Sequence, residues 1–267
     1  MAYSKFGPAS VLKAFVKCFY KKGYFRSLAK QTLDFEYEQN ACASLKKVEL
    51  HSLIGKDQTI DIALNLASTT WGETPLVDMQ AICTLIRLIS PKSIFEFGTF
   101  TGRTTLNMAR NLNEAGRINT LDLPPDSRTK TDGLDWESQI ADSLIGSAFR
   151  NLDIARKITQ LFSDSRTFDT TPYRGVMDFV FVDACHEYEF VKSDTKKAFE
   201  MVSPGGVVAW HDVSRVCPGV GQCLAELTAA HEIGPPEICL IRGTQVAFCQ
   251  TPGGTQRRLV NDVNRNS

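Results

Sequence analysis

The run Asp178-Phe-Val-Phe-Val-Asp183 constrains this chain more than any other stretch. Its β-branched and aromatic residues, closed at both ends by acids, read as a parallel strand buried on both faces. The surrounding sequence, from about residue 90, repeats strand and helix around it. Ser93 to Phe97 reads as a strand, 98–102 as a glycine turn, and 104–115 as a helix that Gly116 closes. Ile118 to Asp122 is a second strand, 123–135 a long polar loop, 136–149 a helix and 157–162 a third strand. A helix over 188–201 places Val191, Ala198, Phe199 and Val202 on one apolar face. A turn at 203–206, a strand at 207–210, a helix over 220–231 and a hairpin of 237–241 with 245–249 complete the series.

Alternation of this kind predicts an α/β protein: a Rossmann-like parallel sheet with helices on both faces and a terminal antiparallel hairpin. Residues 1–60 read as a helical N-terminal extension, and 61–267 as the Rossmann-like domain.

Composition narrows the function classes. Lys+Arg and Asp+Glu stand at 30 each, so no basic excess exists to attract nucleic acid, and none is expected as a partner. None of the eight cysteines forms a CxxC pair and most sit in apolar runs, which predicts reduced, buried thiols in a cytoplasmic protein. No stretch reaches the ~18 apolar residues of a membrane span, and the N-terminus lacks a secretory signal. Residues 1–30 hold seven Lys/Arg and no acid, interleaved with aromatics. Two readings stay open there: a segment lying on an anionic membrane surface or serving as a presequence, and a helix packed on the domain or on a second subunit of a homo-oligomer.

In an open α/β sheet the ligand sits beyond the carboxyl ends of the strands. The first such end is Phe95-Glu-Phe-Gly-Thr-Phe-Thr-Gly102. Gly98 permits a tight turn, and Gly102 lets the next helix begin close to a ligand. The spacing E-x-G-x-x-x-G is not the G-x-G-x-x-G of dinucleotide sites, because Glu96 would repel a pyrophosphate. A ligand with an ammonium and a sulfonium suits that acid, and S-adenosylmethionine carries both. Asp122, ending the second strand, can accept bonds from ribose hydroxyls. Asp164 and Ser165 follow the third strand and can meet the adenine amino group and ring nitrogen. For each acid, the other reading is a loop or capping residue.

Residues 95–105, Leu121-Asp122 and Asp183 through His186 resemble the class I S-adenosylmethionine-dependent O-methyltransferases. The most similar groups are the cation-dependent catechol-type and the macrolide-sugar enzymes, and the similarity spans roughly residues 70–250. The resemblance implies a donor pocket lined by Glu96, Gly98, Thr104, Asp122, Ser165 and Asp183. Thr74, in Trp71-Gly-Glu-Thr74, takes the place of an upstream donor contact, or caps a helix.

Asp183-Ala-Cys-His186 ends the fourth strand and His211-Asp212 the fifth, so two carboxylates and two imidazoles converge on neighbouring strand ends. Asp183 and Asp212 can hold a divalent cation that lowers the pKa of an acceptor hydroxyl. His186, with an ordinary pKa of ~6.5, can take the proton as general base. In the resembled families the residue before Asp212 is usually a carboxylate ligand, or its neighbour an amide. His211 therefore either joins the metal site and shifts its preference from magnesium toward a transition metal, or is a second base, or works with Asp212 without metal. Trp136 and Trp210 read as core, with stacking on an acceptor ring as the other option.

The function so predicted is methyl transfer to a hydroxyl of a small molecule such as a sugar or phenol. The competing readings are a nicotinamide-dependent oxidoreductase and a non-catalytic S-adenosylmethionine-binding scaffold whose N-terminus contacts a membrane or partner.

Overall fold

The computed structural model describes residues 32, 33, 37, 42–55, 58–66, 73–125, 144–230, 237–254 and 259. Eight strands form one sheet: β1 (Lys46–Val48), β2 (Ser93–Phe97), β3 (Arg117–Asp122), β4 (Ile158–Phe162), β5 (Met177–Val182), β6 (Val202–Trp210), β7 (Cys239–Ile241) and β8 (Ala247–Gln250). The helices are α1 (Leu50–Leu53), α2 (Leu76–Ile89), α3 (Arg103–Asn111), α4 (Tyr188–Met201) and α5 (Pro218–Ala230).

The strand order is β1-β7-β8-β6-β5-β2-β3-β4. Strands β6, β5, β2, β3 and β4 run parallel to one another, and β8 is antiparallel to both β6 and β7. The expected hairpin is therefore present, but β1 adds outside it, parallel to β7. From β2 the chain winds outward through β3 to β4, then crosses back to lay β5 on the other side of β2. That reversal opens a crevice at the carboxyl ends of β2 and β5, where open α/β sheets bind their ligands.

The two-residue period of the strands sends alternate side chains to opposite faces. Phe95, Phe97, Val180, Val182, Val208 and Trp210 form one core with Val191 and Ala198 of α4 and Leu224 of α5. Ile94, Ile118, Phe179, Phe181 and Ala209 form the other with Ile82 and Leu85 of α2 and Met108 of α3. Both faces are covered, so the strands carry continuous apolar runs, as the sequence of β5 required. The acid at its start, Asp178, accepts bonds from the backbone N–H groups of Lys92 and Ser93, which pins the entry of β2.

Several boundaries differ from the sequence reading. The first helix of the repeat ends at Asn111 because Leu112 turns extended, and Gly116 lies in the turn to β3 rather than at a helix cap. The turn at 203–206 is part of β6: the register slips between Met177↔Val202 and Phe179↔Val207, so the Pro-Gly-Gly sequence forms an irregularity inside one long strand. Of the stretch expected as a helix over 136–149, residues 145–150 are turns and 126–143, with Trp136, lie outside the described residues. Of the helical N-terminal extension, the described part supplies β1 and α1, because Lys46–Val48 finds an open edge at β7. The basic stretch 1–30 lies outside the described residues.

Candidate active site

The loop after β2 lies at the crevice. Gly98 has φ +91, and a Cβ there would stand 2.1 Å from the carbonyl oxygen of Asp183. Its amide donates to Leu121 O at 2.8 Å, while Asp183 N donates to Phe97 O at 2.9 Å. Glycine is thus required where three strand ends meet, and the loop passes directly beside the residue that ends β5. Gly102 has φ +80 and faces Phe149 and Gly146, not open space; its lack of a side chain admits the turn at 146–149. That turn is tied to the loop by Gly146 N to Phe100 O and Ala148 N to Thr101 O, both 2.9 Å. The one cue to that turn in the sequence is Gly146, whose φ is +68.

Asp122 accepts the backbone N–H groups of Thr99 and Phe100 on one carboxylate oxygen, at 3.1 and 2.8 Å, and that of Leu123 on the other at 2.7 Å. Three amides thus orient a half-buried carboxylate at the crevice. Ser163 N bonds to Asp122 O at 2.9 Å, which brings the loop after β4 alongside. There Asp164 is held by Arg166, whose Nη2 lies 2.7 Å from Oδ2, and that bond keeps its carboxyl below the usual range. Ser165 is anchored through its carbonyl to Lys197 of α4.

Glu96 is fully buried on the α2/α3 face and accepts the Thr105 hydroxyl at 2.5 Å. Burial pushes its pKa up to about 8 against the pull of that hydrogen bond. Its Oε1 has no hydrogen-bond partner. Thr74 and Thr104 meet through their hydroxyls at 2.8 Å. Helix α2 is capped at Pro75 without a side-chain bond, so Thr74 serves as a tie between α2 and α3 rather than as a cap. Arg103 completes that tie, donating to Thr74 O at 2.8 Å and pairing with Glu73 at 3.5 Å.

The four residues expected at the chemical end do converge. His211 is 5% exposed. Its Nδ1 stands 3.2 Å from Asp183 Oδ1 and 3.1 Å from Asp212 Oδ2. His186 Nε2 is 2.8 Å from the same Asp212 oxygen, on a side chain 46% exposed. A fifth member was not foreseen. Asp78, in the first turn of α2 and 1% exposed, holds His211 Nε2 at 3.0 Å with one oxygen and accepts Gln245 N at 3.0 Å with the other. In the sequence it shows only as an acid in the first turn of a largely apolar helix.

Burial disfavours a charged His211, but Asp183, Asp212 and Asp78 outweigh it and hold its pKa well above the ordinary value. Burial likewise opposes charging of His186, yet Asp212 and Cys217 raise it to about 11. Asp212 thus favours the charged form of His186 and lifts its pKa above the ordinary range that the sequence alone assigns to it. Asp212 itself, despite burial, is held below the usual carboxylate range by the two histidines, and it sits at φ +58. A non-glycine residue kept in the left-handed region is a strain found most often at working sites. The bonds His211 N to Val182 O and Val213 N to Gln245 O fix the backbone on either side.

One ligand atom each from Asp183, His211 and Asp212 falls within a 4.8 Å group. The chemistry of this set fits a cation. With Nε2–H donated to Asp78, a His211 that gives up its Nδ1 proton to an incoming cation would turn that lone pair into the space it shares with two carboxylates, the arrangement by which a carboxylate orients a ligating imidazole. Trp210, by contrast, is fully buried and donates to Thr195 Oγ1 at 2.9 Å, so it belongs to the core. The described cysteines are all free and most are buried. No described helix is long and apolar enough to cross a membrane.

Residues 95–213 match the model of a methyltransferase domain family. Among curated proteins the chain is 26% identical over 139 residues to a caffeoyl-CoA O-methyltransferase of Stellaria longipes, covering 52% of this chain and 53% of that one. It is 26% identical over 146 residues to caffeoyl-CoA O-methyltransferase 1 of Eucalyptus globulus, covering 55% and 52%. The chain thus spans about half the length of these relatives. A crystal structure of a candidate O-methyltransferase from Klebsiella pneumoniae superimposes with a TM-score of 0.50 at 15% identity, over 84% of this chain and all of that one. The resemblance to class I O-methyltransferases holds, and the matched segment runs from within β2 through His211 and Asp212, just past β6.

Proposed function

We propose that this protein transfers a methyl group from S-adenosylmethionine to a hydroxyl of a small molecule, with a divalent cation at Asp183, His211 and Asp212. One observation carries the reading. At Gly98 the donor loop and the titratable cluster are in backbone contact, so a ligand on the loop presents its reactive end to Asp183, His186 and Asp212. The match to a methyltransferase domain favours this over nicotinamide chemistry.

The roles follow from surroundings. Asp122, preset by three amides, binds ribose hydroxyls. The 163–165 loop beside it borders the adenine end. A cation bound at the cluster supplies Lewis-acid lowering of the acceptor hydroxyl's pKa. Asp183, His211 and Asp212 would hold it, with Asp78 fixing the His211 tautomer. Both nitrogens of His211 are engaged and its ring is buried, which supports the half-exposed His186 as the group that receives the acceptor's proton. For that His186 must first be neutral. Asp212 pairs with it through the same oxygen that faces His211, so a cation held by Asp212 would compete for that charge and weaken its hold on the His186 proton. The acceptor oxygen then attacks the methyl carbon, the carbon–sulfur bond breaks, and the sulfonium becomes a neutral thioether. Alignment of oxygen, carbon and sulfur is the enzyme's main contribution.

The test is mass spectrometry of hydroxylated acceptors incubated with the donor, with and without chelator. Methylated product that disappears on chelation, with donor binding retained in calorimetry, is the expected result. Binding of NAD with no affinity for S-adenosylmethionine or its demethylated product would overturn the reading.

A further inference from the structure

His186 and Asp212 have a third neighbour that methyl transfer does not use. Cys217 brings its sulfur into a group with His186 and Asp212 in which the three ligand atoms all lie within 4.8 Å. We propose that His186, Asp212 and Cys217 form a second cation site, suited to a soft divalent transition metal such as zinc or cobalt(II), which shares Asp212 with the Asp183–His211–Asp212 cluster.

The donor set argues for the class of metal. Imidazole, carboxylate and thiolate together match zinc-type sites, whereas magnesium takes oxygen and rejects sulfur. Three protein ligands leave a fourth position for water or substrate. The positions are also fixed in advance. Cys217 sits in the turn that opens α5, its N–H bonded to Ser214 O at 3.1 Å and its carbonyl accepting Val220 N at 3.2 Å. Two residues on, a Cβ at Gly219 would lie 2.5 Å from His186 O and 2.6 Å from Tyr188 N. The first turn of α5 therefore rests directly on the backbone that carries His186, and no rearrangement is needed to bring sulfur and imidazole together. The exposure of His186 and partial exposure of Cys217 give an ion a path in. On binding, the thiol and imidazolium release their protons to solvent.

A consequence rests on the catalytic reading above. With its nitrogen on a soft metal, His186 accepts no proton from substrate, and Asp212 is drawn from the neighbouring cluster. Zinc should inhibit where manganese(II) supports turnover.

Cobalt(II) titration of the full-length protein tests the site without any methyl transfer. A near-ultraviolet sulfur-to-cobalt charge-transfer band is expected in the wild type, lost in Cys217→Ser and kept in Cys185→Ser. Absence of the band, its survival in Cys217→Ser, or its loss in Cys185→Ser overturns the proposal. Should Cys217→Ser not fold, mapped alkylation of the wild type decides: zinc must block labelling of Cys217 while magnesium does not, and unprotected labelling overturns the site. A cobalt–thiolate band in a protein that neither binds the donor nor methylates would leave this site standing and sink the catalytic reading alone.

Discussion

Asp78→Asn probes the least visible part of the site. The substitution keeps the side chain's shape but leaves a single acceptor oxygen for two donors, Gln245 N–H and His211 Nε2–H, each now 3.0 Å from a carboxylate oxygen. Whichever bond survives, an amide N–H faces another N–H in a site that is 1% exposed. A buried hydrogen bond to a charged group contributes about 1.5–3 kcal/mol. An independent route gives the same size: loss of the partner that orients a ligating imidazole lowers metal affinity ~10–100-fold, which is ~1.4–2.8 kcal/mol at about 1.4 kcal/mol per decade. The assay is calorimetric titration of manganese(II) into protein saturated with S-adenosylhomocysteine, paired with thermal unfolding of the metal-free form. The variant should bind the metal ~10–100-fold more weakly and unfold several degrees lower, with donor affinity unchanged. Wild-type metal affinity in a folded Asp78→Asn protein would refute the idea that Asp78 sets the tautomer through which His211 ligates.

Other expectations separate the remaining roles. Asp122→Ala should weaken S-adenosylhomocysteine by about 1–3 kcal/mol in calorimetry through lost bonds to a charged acceptor; unchanged affinity would remove Asp122 from the donor site. His186→Ala should lower turnover ~10²–10⁴-fold with donor affinity intact, whereas His211→Ala should lower metal affinity and recover in part at high metal. Near-wild-type turnover of His186→Ala across the neutral range would exclude it as the base. Glu96 is protonated more readily in the folded chain than in the unfolded one, so its contribution is fully present below 4.5 and is lost as pH rises through about 8. From 4.5 to about 8, at about 1.4 kcal/mol per pH unit, the loss is at most about 5 kcal/mol. Glu96→Gln should flatten that decline in denaturant unfolding, and an identical pH slope in the variant would contradict it.

Sequence was most informative where a residue's role is set by its own strand. The alternation of apolar runs located β2, β3, β5 and the hairpin, because a parallel strand covered on both faces must be apolar along its length. It placed Asp183, His186, His211 and Asp212 together because residues at the carboxyl ends of paired strands are neighbours by construction, and β5 and β6 are paired from Phe179↔Val207 to Val182↔Trp210. It read least well where a residue answers to a partner distant in the chain. Gly102 looked like a ligand contact, yet its empty side is filled by Phe149 of a later turn. His186 looked poised near neutrality, but the ordinary pKa of a histidine says nothing about a carboxylate 2.8 Å away. Asp78 precedes the glycine loop by some twenty residues and, in the first turn of α2, is indistinguishable from an acid that favours a helix N-terminus. Only the packing of α2 against the sheet brings it to His211, which lies 133 residues away. The same packing explains how a buried histidine is held at the end of β6. Its second nitrogen needs a buried acceptor, and Asp78 supplies one, so His211 and Asp78 form a single unit whose members should change together.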